Sequence, residues 1–365
     1  MSQNNEIQKL FLAVSFTIFL LFGGAWFLME RWAQISKNQS NNSANSSNSN
    51  INNSPNLAPN TNNSINFNSS NSSVANCNVS NVPSGVFNYG GSTTWAPIRR
   101  DVDSQLQRIC PQFILRYTQP INEKPGSGTG IKMLIENQLA FSQSSRSIKP
   151  EENATAQQKG FSLKEIPVAI DGIAIAVNPS LNLPGLTVNQ IKDIYTGKIT
   201  NWQQIGGENL PITAITRPKE AGGTVEFFID NVLNKETFGS NVTYIGTTTE
   251  AIRKVAITPG SIYYASAPEL VSQCTIKPLP TGKENGELIA PYQTPYINSS
   301  QCPNQRNKLN TEDFRTGKYP ITRNLFVIVK QNGQIDQQAG EAYANWLLTP
   351  EAQKLIEDTG FVRIR

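Results

Sequence analysis

VFNYGGSTTWAPIRRDVDSQLQRI, Val86 to Ile109, decides the architecture. Val86-Phe87-Asn88-Tyr89 reads as a strand, rich in the residues that suit a pleated, half-buried surface. Gly90-Gly91-Ser92-Thr93-Thr94-Trp95-Ala96-Pro97 reads as a turn. Ile98, Val102, Leu106 and Ile109 then recur at helical spacing. Strand, glycine-rich turn and helix form the α/β unit, and the same order recurs along the chain without any internal sequence repeat. Phe113 to Tyr117 is a second strand, Ile131 to Gln138 a short helix and Leu139-Ala140-Phe141 a third strand. Ile166 to Asn178, IPVAIDGIAIAVN, is a long strand rich in β-branched residues. Leu325 to Val329 is another strand, and Pro350 to Thr359 is a helix stopped by Gly360. This alternation predicts an α/β fold with mainly parallel sheet.

Three turns share one chemical design. The first is the Gly90 to Pro97 turn. The second is Gly126-Ser127-Gly128-Thr129-Gly130, before a helix. The third sets Arg217 at a strand end and Gly222-Gly223-Thr224 before another helix. Each brings backbone N–H groups, hydroxyls and the positive end of a helix dipole to one point, which is an anion-binding arrangement. Ser144-Ser145-Arg146-Ser147, after a strand, adds a fourth polar patch. Helix capping alone would account for any one such turn. Three in one chain point to a shared ligand. None matches the phosphate loop of nucleotide hydrolases, and the dinucleotide fingerprint lacks its acidic partner.

Composition narrows the chemistry. The 365 residues hold 31 Lys+Arg and 27 Asp+Glu, a net charge of +4, which gives no reason to expect a nucleic-acid partner. There is no histidine, so Ser-His-Asp and Cys-His catalysis and imidazole metal sites are excluded. No carboxylate, Lys or Tyr cluster takes their place. The expectation is a binding protein, not an enzyme, with no cofactor and no metal.

Leu10 to Met29 is an uncharged run of twenty residues, long enough to cross a bilayer core as one helix. It predicts a transmembrane anchor over residues 1–35, with Trp26 and Trp32 at the interface. The competing reading is a cleaved signal peptide ending near Gly23-Gly24-Ala25. Residues 36–78 are mostly Asn and Ser and predict a disordered linker. This reading gives a single-pass cell-membrane protein with its folded part in the periplasm or outside the cell.

Cys77, Cys110, Cys274 and Cys302 all follow the apolar run and predict two disulfides in an oxidising space, with buried free thiols as the alternative. Of the three pairings, Cys77–Cys110 and Cys274–Cys302 are favoured. A helix returning antiparallel to the first strand brings Cys110 towards Cys77. The second pair would staple a Pro-, Gly- and Asn-rich excursion.

GGSTTWAPI, GSGTGIKML, FSQSSRSIKPEE, PVAIDGIAIAVNP, LTVNQIKDIYTGKITNWQQIGG, RPKEAGGTVEFF, YPITRNLFVIV and LLTPEAQKLIEDTGFVRI occur in this order. Over residues 82–365 they resemble the phosphate-binding proteins of ABC importers, in the type II periplasmic-binding fold. The resemblance implies two lobes within 79–365, joined by a hinge of crossing strands, with an oxyanion held between them. Lobe 1 is about 79–168 plus a C-terminal return, and lobe 2 about 169–320. Ile166–Asn178 and Leu325–Val329 are the crossings.

The matching motifs imply a ligand set of Ser92, Thr93, Thr94, Ser127, Gly128, Thr129, Ser145, Arg146, Arg217, Gly223 and Thr224. Two departures stand out. Ala221 replaces a serine of the family's third loop, and Ser145 stands where some phosphate binders carry Asp. Asp171 is then the expected acceptor for a phosphate proton, with Glu220 next. The implied function is delivery of phosphate or a similar oxyanion to an ABC permease by a monomeric binding protein. The alternative is a membrane-anchored sensor or receptor module with a membrane sensor partner and no transport role.

Overall fold

The computed structural model describes Cys77 and residues 79–219, 222–283 and 287–364. The strands in chain order are β1 (Gly85–Gly91), β2 (Phe113–Tyr117), β3 (Phe141–Ser144), β4 (Ser162–Val177), β5 (Leu186–Thr187), β6 (Thr213–Thr216), β7 (Val242–Tyr244), β8 (Ser261–Ser266), β9 (Lys277–Leu279), β10 (Thr281–Gly282) and β11 (Thr322–Gln331). The main sheet runs β2-β1-β3-β11-β4-β8-β6-β7, and β9 also pairs with β4.

Two parallel α/β halves flank an antiparallel centre. β1 runs parallel to β2 and β3, and β6 runs parallel to β7 and β8. Between them β11 is antiparallel to both β3 and β4, and β4 to β8. The expected mainly parallel sheet therefore describes each half but not the junction. β4 is sixteen residues long and serves both halves. Its first part pairs with β11, and Ile173–Val177 pair with β8. The register slips where Leu325 faces Ala169 and Phe326 faces Pro167, leaving Val168 as the extra residue. Pro167 has no N–H to give the ladder, and proline within sheets gathers at such bulges.

Each half has its own core. One gathers Trp95, Phe113, Phe141, Tyr343 and Trp346, and the other gathers Tyr195, Trp202, Phe228 and Tyr264. The segment Thr93–Ile109 is helical throughout and passes through a π turn at Arg99–Asp103. It returns antiparallel to β1, so Cys110 meets Cys77 in a disulfide with Cα atoms 4.8 Å apart. Cys274 and Cys302 form the second, at 5.8 Å. Both expected pairings are present.

The membrane reading is corrected. Leu10–Met29, and the linker up to residue 76, lie outside the described residues. Among the described residues no helix is long and apolar enough to cross a membrane. The longest uninterrupted α-helix among them, Ile335–Leu347, has 13 residues, about 20 Å at the rise of an α-helix against a hydrocarbon core of about 30 Å. The fold class therefore reduces to the two-lobed α/β unit. The membrane-spanning helix, the membrane as a partner and the single-pass localisation drop out of the description.

Candidate functional site

The first turn leaves β1 at Gly91 and buries Ser92. Ser92 Oγ donates to Ser145 Oγ at 2.9 Å and accepts from the Thr94 amide at 3.3 Å. The second turn enters its helix earlier than its apolar spacing suggests, at Ser127 instead of Ile131. Ser127 Oγ accepts from the Ser145 amide at 3.1 Å and lies 3.3 Å from Ser145 Oγ. Three buried serines from three segments thus share one hydroxyl cluster.

The third turn closes on that cluster from the other half of the sheet. Gly223 opens the helix Gly223–Asn231. A Cβ at Gly223 would stand 2.5 Å from both Ser127 Oγ and Ser145 Oγ, so only hydrogen fits. Gly222 has φ +128°, a conformation left to glycine, and a Cβ there would lie 3.3 Å from Thr93 Oγ1. Two nine-residue helices, Ser127–Ile135 and Gly223–Asn231, therefore begin at the same place. The amides of a first helical turn have no intrahelical partner, and the helix dipole adds positive potential there.

A second corner is built on charge. Asp171 on β4 and Arg323 on β11 are register partners and are buried together. Asp171 Oδ2 accepts from Arg323 Nε at 3.0 Å and Nη2 at 2.8 Å, and Oδ1 accepts from Ser266 Oγ at 2.6 Å. Burial raises the Asp171 carboxyl, and the Arg323 guanidinium and Ser266 hydroxyl oppose that rise. Arg323 Nη2 also donates to Thr94 Oγ1 at 3.1 Å and Thr224 Oγ1 at 2.8 Å. Those two hydroxyls, one from each half, lie 3.4 Å apart. Sequence reading missed Arg323. The available signal was a lone Arg in the apolar run of TRNLFVIV matched by a lone Asp in IPVAIDGIAIAVN.

The expected ligand residues divide on this geometry. Ser92, Ser127, Ser145 and Gly223 meet in the serine corner, with Thr93 beside Gly222, and Thr94 and Thr224 meet in the charged corner. Arg217 lines a small cavity with Thr224, Tyr263, Tyr264 and Glu269. Thr129 turns its hydroxyl back to the Lys124 and Gly126 carbonyls, at 3.0 and 3.1 Å. Gly128 faces Arg146 and Glu226.

Arg146 and Asp171, both expected to face the ligand, make extensive contacts within the protein. Arg146 is enclosed by carboxylates. Its Nε donates to Glu226, its Nη1 and Nη2 to Glu152 at 3.0 and 2.7 Å, and Nη1 also to the Ser147 carbonyl at 2.8 Å. Through Glu226 it ties its own turn to the helix Gly223–Asn231. Asp171, expected as a proton acceptor, has its carboxylate held by Arg323 and Ser266. Glu220 lies outside the described residues.

Behind the serine corner stands another buried carboxylate. Asp103 accepts from Tyr89 and Tyr343 hydroxyls, each at 2.7 Å. Gln143 Nε2 donates to Tyr343 Oη at 2.7 Å, and Arg99 Nη1 donates to Gln143 Oε1 at 2.7 Å and to the Ser92 carbonyl at 3.0 Å. Desolvation pushes the Asp103 carboxyl up to about 7 against the two phenol hydrogen bonds.

The family model described as PBP superfamily domain matches residues 77–351. The phosphate-binding protein PstS of Staphylococcus epidermidis is 26% identical over 281 residues, covering 74% of this chain and 77% of that protein. PstS of Staphylococcus aureus is 25% identical over 276 residues, covering 74% and 76%. The solved structure of a substrate-binding protein with bound phosphate from Clostridium perfringens aligns with TM-score 0.60 at 23% identity, over 77% of this chain and all of that one. An ABC-type phosphate transport receptor from Vibrio cholerae aligns at 0.58 and 20% identity, over 76% and 99%. These two structures are similar in fold.

Proposed function

This chain belongs to the PBP superfamily, and from that premise we propose that it binds phosphate, or a tetrahedral oxyanion like it, outside the cytoplasm for ABC-type uptake. It is read as a transport receptor and not as an enzyme. The observation that carries the proposal is the meeting of three glycine- and hydroxyl-rich turns, from both halves of the sheet, on the buried point between Gly223, Ser127 and Ser145. Such a point offers hydrogen-bond donors from hydroxyls and first-turn amides, which suits a small anion. The proposed ligand residues are Ser92, Thr93, Thr94, Ser127, Gly128, Ser145, Arg217, Gly223 and Thr224. Lobe 1 is proposed as 79–168 with the C-terminal return and lobe 2 as 169–320, so that the ligand lies between them. The relatives of 25–26% identity that bear the name phosphate-binding protein support phosphate as the anion. The two disulfides support an oxidising compartment.

Isothermal titration of the protein with phosphate, sulfate and arsenate tests this. Saturable one-to-one binding of phosphate is expected. No heat and no thermal shift with any of the three anions would sink it.

A further inference from the structure

The first turn is held by a residue about two helical turns further on. Side chains of a helix lean towards its N-terminus, and Arg99 reaches back to the main chain of Ser92, seven residues earlier. Its Nη1 donates to the Ser92 carbonyl at 3.0 Å and to Gln143 Oε1 at 2.7 Å. The Tyr117 ring lies under the guanidinium, 4.2 Å from Cζ to the ring centroid, which favours this placement. Gln143 holds the other side of Ser92, because its carbonyl accepts from the Ser92 amide at 2.8 Å. The Ser92 main chain is therefore clasped at its N–H by β3 and at its C=O by Arg99. The Gln143 side chain is itself fixed, through its bond to the Tyr343 hydroxyl. The Trp95 amide also reaches the Ser92 carbonyl, at 3.3 Å, but it belongs to the same turn and anchors it to nothing else.

A trans peptide is planar, so its C=O and N–H point in opposite directions. Holding the Ser92 carbonyl on the Arg99 side turns the Thr93 N–H the other way. Thr93 is the first residue of its helical segment, so that amide has no intrahelical acceptor. The Thr93 hydroxyl stands beside Gly222 of the third turn. Building on the function proposed above, we propose that Arg99 is a positioning residue that aims the Thr93 amide at the anion. The donor is then set before the ligand arrives, which removes an ordering cost from binding. The effect of Arg99 passes through the Ser92–Thr93 peptide.

The test is a double-mutant cycle read by phosphate calorimetry on the full chain. Arg99→Met removes the donor and keeps an unbranched stem. Phosphate affinity should fall about tenfold to a hundredfold, the range of one hydrogen bond to a charged group. Thr93→Pro removes the N–H itself. Ser92, at φ −56° and ψ 130°, already has the extended conformation that precedes proline, and proline suits a first helical position. In the Thr93→Pro background Arg99→Met should change affinity by no more than about twofold, the scatter of independent sites. A role in general stability or charge would weaken binding equally in both backgrounds. Such additivity, or wild-type affinity in Arg99→Met, would overturn the inference. Should the methionine variant fail to fold, Thr93→Ala and Thr93→Pro leave Arg99 intact. Both lack the hydroxyl and only proline lacks the N–H, so proline should bind phosphate about tenfold or more weakly than alanine. Equal affinity of the two would also overturn the inference. Crystal structures of the anion-free wild type and Arg99→Met separate this inference from the functional reading. The Ser92–Thr93 peptide should rotate in the variant even if phosphate fails to bind. An unmoved peptide would overturn the positioning role while leaving phosphate binding untouched.

Discussion

Two buried aspartates support the two corners of the cleft, and they are held by different chemistry. Asp171 faces a guanidinium, whereas Asp103 faces two phenols. Burial raises both carboxyls. At Asp171 a full positive charge, both partners being at most 2% exposed, opposes the rise. At Asp103 neutral hydroxyls and the more distant Arg99 oppose it, and the carboxyl reaches about 7. Hydrogen bonds alone do not replace a counter-charge in a dry site. The charged corner is therefore locked as an ion pair, whereas the support behind the serine corner can take up a proton near neutrality.

The largest expected effect breaks the locked pair. Asp171→Ala leaves Arg323 buried without its carboxylate, which costs about 3–5 kcal/mol in comparable pairs. Urea denaturation should show that loss. Wild-type stability would mean that water reaches Arg323 and that the pair is not dry.

Asp103 gives the next effect, and its sign follows from the raised carboxyl. The native state holds a proton that the unfolded chain, with an aspartate near 3.9, releases. This group's contribution is complete below about pH 4 and is lost as pH rises through about 7. The full span is roughly 4 kcal/mol at most, by the conversion of pKa shift to free energy. Asp103→Asn should flatten unfolding free energy against pH across that window. A slope unchanged by the substitution would place the titrating group elsewhere and undo the contrast with Asp171.

Gly223→Ala sharpens the comparison at the serine corner. The added methyl must displace Ser127 and Ser145, with an overpacking cost of about 1–3 kcal/mol. Phosphate affinity should fall with the serine geometry. An alanine variant that binds as wild type does would remove Gly223 and the serines from the anion site and leave the charged corner as its centre.

Much of this molecule was legible from short stretches. The strand, turn and helix of Val86–Ile109 and the Cys77–Cys110 return follow from spacing and turn chemistry. These act within a few residues of one another, so the sequence by itself determined them. It also determined that histidine chemistry is absent and that three turns are rich in glycine and hydroxyls. The roles of the arginines were decided only by the tertiary structure. Arg146 reads as a ligand beside three serines, yet Glu226, eighty residues away, and Glu152 enclose it. Asp171 reads as a free acceptor, yet Arg323, 152 residues later, lies beside it on the neighbouring strand and holds it. Whether a charge serves a ligand or the scaffold depends on which opposite charge shares its dry surroundings. That partner is chosen by strand register and lobe packing, which no local pattern encodes.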